Sequence, residues 1–184
     1  MHIISGFLKG KKLKTLEGNS VRPTTGKIKE SIFSIIQFEL QDKIFLDLFS
    51  GSGQMGLEAL SRGAKEVFFV DNSKKSINVI KTNLKNTNLL ESAHIINSDS
   101  IAFLKKTKYK FDIAFLDPPY GTGTLQQALE ILPNSMNDDG IIICENSIDE
   151  VLPQNLSKLF ILKKIYKYGK IQITIYRKDD FYED

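Results

Sequence analysis

The sequence predicts an α/β fold: a seven-stranded, mostly parallel sheet with one reversed strand near the chain end, covered by helices and preceded by a short hairpin and a helix. Three observations predict it. After Gly18, strand-like and helix-like stretches alternate, the pattern of parallel strands joined by helical crossovers. Aspartates close four successive strand-like runs, at positions 47, 71, 99 and 117, and open α/β sheets hold their ligands at such C-terminal ends. Finally, two strand-like runs meet at Tyr168-Gly169-Lys170, a connection too short for a crossover, so that pair is an antiparallel hairpin.

The elements follow in order. HIISG (2–6) and KKLKT (11–15) read as a short N-terminal hairpin. Ile28, Ile32, Ile35 and Ile36 recur at helical spacing, with Thr24 or Thr25 placed to cap the helix. IFLDLFS (44–50) is a buried strand, and the glycines that follow it lead into a helix over 54–62. EVFFVD (66–71) is a strand, and Ile77, Ile80 and Leu84 mark a helix beginning near Ser73. AHIINSD (93–99) precedes a short helix through Ile101 and Leu104, and FDIAFLD (111–117) precedes one over 125–132. GIIICEN (140–146) is the fifth strand. In the closing hairpin Ile171, Ile173 and Ile175 alternate with Gln172, Thr174 and Tyr176, as in a half-exposed strand.

Composition narrows the class. With 184 residues, 41% hydrophobic and 26% charged, the chain reads as one globular domain over 1–184, outside the disordered regime. No apolar run reaches the roughly 18 residues of a membrane span, and the N-terminus lacks the apolar stretch of a signal peptide. Cys144 is the lone cysteine, which excludes a disulfide framework or a cysteine-based metal site. A cytoplasmic protein is expected. Charge is uneven: residues 1–29 carry seven basic side chains against Glu17, whereas the rest of the chain is net acidic. A polyanion such as RNA would meet the basic hairpin extension, 1–24, and its Lys9, Lys11 and Lys12 first.

Two motifs carry chemistry. DLFSGSGQMG, 47–56, stands at a strand-to-helix turn, where glycines let backbone approach a ligand. Gly51, Gly53 and Gly56 match a dinucleotide fingerprint, with Asp71 about 20 residues on. Asp47 argues for a different ligand, since a carboxylate there disfavours a pyrophosphate but attracts an ammonium group. A nucleoside with a cationic amino-acid end suits Asp47, Asp71 at a ribose diol, and Asp99 at an adenine amine. Asp99, just before Ser100, is equally suited to cap a helix.

The second motif is FLDPPYG, 115–121, in which neither proline can donate to a sheet ladder, so the strand must stop. An exocyclic base amine is a poor nucleophile because its lone pair is delocalised into the ring. The Asp117 carboxylate and the Pro118 carbonyl are two acceptors that can orient such an amine, Pro119 stiffens the turn, and Tyr120 offers a stacking ring. Together the motifs predict in-line methyl transfer from a sulfonium donor to a base amine, without a metal. His2 and His94 are not expected to be ligands.

Those segments, with RPTTGKIKESIF (22–33), VDNS (70–73) and YGKIQITIY (168–176), resemble bacterial 16S ribosomal RNA guanine-N2 methyltransferases of the RsmD-like family. That family belongs to the Rossmann-like, class I, S-adenosylmethionine-dependent methyltransferases. The resemblance runs in order over nearly the whole chain. It implies S-adenosylmethionine held by Asp47, Phe49, Gly51 and Gly53 at its methionine end, by Asp71 with Asn72 at ribose, and by Asp99 with Ser100 at adenine. Asp117, Pro118, Pro119 and Tyr120 would hold a guanine amine, and Arg22, Pro23, Thr24 and Thr25 would lie at the mouth and contact RNA. The implied partner is 16S ribosomal RNA within the small subunit; independently of the resemblance, a monomer is the default expectation. The chain departs from the family at Asp71, where Glu is commoner, and at Gln54, where a small residue is usual. Amine chemistry alone leaves an adenine-N6 methyltransferase open. An NAD-dependent dehydrogenase would leave DPPY idle, and a non-catalytic RNA-binding module would leave the carboxylates idle.

Overall fold

The structure is a computed structural model that describes residues 1–16, 26–157 and 159–178. Among these residues seven strands form one sheet in the order β3-β2-β1-β4-β5-β7-β6. β1 (Ile44–Asp47), β2 (Glu66–Asp71), β3 (Ala93–Asn97), β4 (Phe111–Leu116) and β5 (Met136–Ser147) are mutually parallel. β6 (Phe160–Tyr168) and β7 (Ile171–Lys178) form the expected hairpin, and β7 runs antiparallel to β5. The chain winds outward from β1 to β3, then resumes on the other side of β1 with β4. The C-terminal ends of β1 and β4 therefore flank the crevice left where the winding reverses.

Periodicity explains how the faces are covered. α1 (Gly26–Ile35), α2 (Gln54–Ser61) and α3 (Lys74–Thr87) lie on one face, where Ile32, Phe33, Leu57, Ile80 and Leu84 pack against Phe45, Phe69 and Phe115 of the sheet. α4 (Ser100–Lys106) and α5 (Thr124–Ile131) cover the other, where Leu104, Leu125 and Leu129 meet Leu46, Phe68 and Leu116. Alternate residues of one strand thus feed two separate cores, as the pleat requires. Cys144 is buried in the second core. No helix among the described residues is long and apolar enough to cross a membrane.

Two stretches differ from the sequence reading. β5 begins at Met136 rather than at Gly140. Its early residues, Asn137, Asp138 and Asp139, are hydrophilic and carry no strand pattern, yet Met136 pairs with Phe111 before the register shifts to Ile113 and Ile141. β7 is not half-exposed: Gln172, Thr174 and Tyr176 are buried like the isoleucines between them. The strand lies inside the sheet, between β5 and β6, and the connection after β5 covers its second face. There the Tyr176 hydroxyl donates to the Pro153 carbonyl at 2.8 Å, while the Thr174 hydroxyl donates to Asn146 Oδ1 on β5 at 3.0 Å. The alternation marks polar side chains satisfied inside, not a wet face.

The N-terminal hairpin is present as one antiparallel bridge, His2 with Lys12, flanked by backbone bonds between Ile3 and Lys11 and between Met1 and Leu13. A buried carboxylate clamps it to the domain. Glu58 on α2 accepts the Ile4 and Ser5 N–H groups at 2.8 and 2.9 Å, Lys29 Nζ at 3.0 Å and Arg62 Nε at 2.8 Å. Burial works to raise its pKa, but these donors outweigh burial and lower it. Lys29, part of the basic N-terminal excess, is consequently an internal ion-pair partner and does not face a polyanion.

Candidate active site

The C-terminal strand ends open into a cavity of about 820 Å³, large enough for a cofactor-sized ligand. Sheet order decides what lines it. Asp99 and Ser100 follow β3, Asp71 ends β2, Phe49 and Gly51 follow β1, and Asp117 follows β4; all of them line the cavity, as do Asn72, Pro118, Pro119 and Tyr120. Of the four strand-end aspartates, three face this space.

Asp47 lies beneath it, 1% exposed, and accepts the Gly56 N–H at 2.9 Å. Burial pushes its carboxyl up to about 7 against that hydrogen bond, and the Asp71 charge adds to the rise. The side chain braces the glycine turn from below. Asp71 braces the same turn from the next strand: one carboxylate oxygen accepts Gly51 N–H and the other Ser73 N–H, both at 2.8 Å. Each oxygen keeps a second lone pair for a further donor.

The three glycines do different work. Gly51 has φ 52°, and a Cβ built there meets nothing within 4 Å, so a side chain would stand in the cavity. At Gly56 a Cβ would lie 2.3 Å from Phe69 Cε1, so its smallness lets α2 pack on β2. Gly53 caps α2 and lies outside the cavity lining. Asp99 caps α4, accepting Ala102 N–H at 2.8 Å, and also lines the cavity. Gln54 is buried at the start of α2.

At the other side of the cavity, Asp117 is half-buried and Pro118 buried, while Pro119 and Tyr120 are exposed. Burial of the Asp117 carboxyl, with the charges of Glu145 and Asp47 nearby, raises its pKa well above the usual carboxylate range. Glu145 was not anticipated. It is 3% exposed, lines the cavity from β5, and takes the Tyr120 hydroxyl at 3.3 Å. The signal was available, because Glu145 ends the apolar run IIIC just as the aspartates end theirs. Lys170, at the β6–β7 turn, and Leu16 also line the cavity.

Lys9, Lys11 and Lys12 are exposed; Arg22, Pro23, Thr24 and Thr25, including the expected helix cap, lie outside the described residues. Asn83 on α3 leads the N-terminal segment to the site. Its side chain accepts Lys14 N–H at 2.7 Å and donates to the Lys14 and Ser52 carbonyls at 3.0 and 3.2 Å. His94 stacks on Phe68 at 4.1 Å and pairs with Glu66 at 2.8 Å, a packed strand histidine. Among the described residues no cluster of three His, Cys, Asp or Glu side chains is placed to hold a metal ion.

A parallel sheet closed by a single reversed strand, with a glycine turn after β1 and carboxylates at successive strand ends, is the architecture of a Rossmann-like class I methyltransferase. The family described as "Conserved hypothetical protein 95" matches residues 1–177, and the chain belongs to it, a family of RsmD-like methyltransferases. It is 39% identical over 183 residues to "Putative rRNA methyltransferase YlbH" of Bacillus subtilis, covering 97% of this chain and 99% of the relative. It is 31% identical over 183 residues to "Ribosomal RNA small subunit methyltransferase D" of Escherichia coli K12, covering 97% and 90%. The solved structure of "Putative methyltransferase yhhF" from Escherichia coli superposes with a TM-score of 0.84 at 28% identity, covering 97% of this chain and 98% of that one.

Proposed function

We propose that this chain transfers a methyl group from S-adenosylmethionine to the exocyclic N2 amine of a guanine in small-subunit ribosomal RNA. The observation that carries the reading is one cavity joining the Gly51, Asp71 and Asp99 surface to the DPPY turn. The residues present suit the cofactor: Gly51 leaves the turn open, Asp71 keeps acceptor capacity for a ribose diol, and Asp99 for an adenine amine. Names of the relatives support the ribosomal substrate.

When bound, S-adenosylmethionine supplies a methyl group made electrophilic by the sulfonium charge, and its leaving group is neutral. The chain's own residues supply position and proton traffic. Asp117 and the Pro118 carbonyl accept the two amine hydrogens, which exposes the nitrogen lone pair toward the methyl group. After transfer, Asp117 is the base that takes the amine proton, and its raised pKa makes it a stronger base than an ordinary carboxylate. Tyr120, 48% exposed at the cavity, stacks the base. Lys9, Lys11 and Lys12 belong to the RNA-contacting extension, 1–24, of a single catalytic domain, and Arg22, Pro23, Thr24 and Thr25 contact RNA at its end.

The test is transfer from labelled S-adenosylmethionine to small ribosomal subunits lacking their native methylations, followed by nucleoside analysis. The expected product is N2-methylguanosine in the 16S RNA. Label in N6-methyladenosine would keep the amine chemistry and overturn the base assignment.

A further inference from the structure

We propose that Glu145 reads the target base, accepting the N1–H of guanine beside the amine held by Asp117, and so excludes bases that carry a lone pair at that position. This rests on the reading above that a base amine is methylated against Asp117.

Register brings the two carboxylates together. β4 and β5 are parallel, with Phe115 opposite Ile143 and Leu116 opposite Cys144. One step further along each chain come Asp117, just past the end of β4, and Glu145 on β5, so the parallel pairing carries both to the same end of neighbouring strands. Both line the cavity, and each belongs to the wall that the DPPY turn completes. The Glu145 charge contributes to the raised pKa of Asp117, so the groups feel each other directly. The Tyr120 hydroxyl on Glu145 Oε1 links the stacking ring to the same carboxylate.

Such a pair is complementary to one base edge. Guanine presents N1–H and the N2 amine side by side, a row of donors matching two neighbouring acceptors. Adenine presents a lone pair at N1 next to its amine, which would face the Glu145 carboxylate with nothing between them. A site built to accept a substrate hydrogen rejects an analogue lacking it far more strongly than a merely apolar pocket can. Nothing comparable is needed to bind the cofactor, which the Asp71 and Asp99 side of the cavity would hold.

The experiment first maps the nucleotide that the wild-type enzyme labels in unmethylated small subunits. Subunits are then reconstituted with guanosine or 2-aminopurine riboside at that nucleotide. The analogue keeps the C2 amine but has a lone pair at N1. Wild-type kcat/KM should be about 100-fold or more lower on 2-aminopurine. Glu145→Gln, whose amide can donate to that lone pair, should bring the two substrates within about tenfold of each other while S-adenosylmethionine still binds. Equal wild-type rates on the two bases would overturn the proposal, and this needs no variant to fold. An unchanged preference in a Glu145→Gln enzyme that binds cofactor normally would overturn it too. Wild-type label in N6-methyladenosine, or none at all, would instead sink the reading on which the proposal rests.

Discussion

At the scale of single residues, the site is governed by carboxyl groups in different surroundings. On the proposed reading Asp117 is an acceptor for the target amine, so Asp117→Ala should lower kcat by about 100-fold or more while leaving S-adenosylmethionine affinity within about threefold. Single-turnover transfer and calorimetry separate the two, and an Asp117→Ala enzyme with normal turnover would remove the assigned role. Asp47 makes a pH prediction. Its folded pKa of about 7 exceeds its ordinary 3.8, so the folded state holds this proton more tightly than the unfolded chain. Its contribution to stability is therefore fully present below about pH 4 and is lost as pH rises through about 7, on the order of 4 kcal/mol in all. Asn at this position can still accept the Gly56 N–H but does not ionise. Chemical denaturation should accordingly show Asp47→Asn gaining on wild type as pH rises from about 4 to 8, and a constant difference would mean that Asp47 is already ionised in the fold.

At the scale of elements, the glycine turn shows what was readable and what was not. Three glycines after a strand announced a ligand turn, but their spacing could not tell a ligand-facing glycine from a packing one. That distinction depends on Phe69 and Val67, which approach Gly56 from the neighbouring strand. Gly56→Ala should therefore destabilise the protein by about 1–2 kcal/mol despite the better helix propensity of alanine, because the new methyl must displace the Phe69 ring. The melting temperature should fall by roughly 2–8 °C. A variant at least as stable as wild type would show that α2 can move off the sheet at little cost. β7 teaches the same lesson. Its apolar–polar alternation was real, yet both faces are covered, because the connection after β5 returns over Gln172 and Tyr176.

At the scale of the whole molecule, charge and tethering act together. Lys9, Lys11 and Lys12 are solvent-exposed on a segment that Glu58 and Asn83 fasten to α2 and α3 and that reaches the cavity at Leu16. A fastened basic segment positions an RNA, where a loose one would only attract it. Changing the three lysines to Gln should weaken RNA binding and flatten the plot of log affinity against log salt by up to about 3, one for each phosphate left without its lysine. An unmoved slope would make these lysines plain solvated surface.

The sequence by itself determined the layered α/β fold, the positions of most elements, the reversed hairpin at the end, and the two motifs that face each other across the cavity. It could do so because strand and helix periods, turn residues and strand-end carboxylates are local signals. Tertiary structure alone decided which charges stay outside and which ones meet. Lys29 belongs to the basic N-terminal stretch in sequence, yet it is an interior ion-pair partner in space, because Glu58 on another helix closes over it. Asp47 lies under the glycine turn and not against the ligand space, because Gly56 comes back to it from nine residues away. Glu145 reaches the same cavity wall as Asp117 only through the pairing of β4 with β5. Each of these outcomes depends on contacts between elements distant in sequence, and no local pattern encodes the dielectric or the neighbours such contacts create.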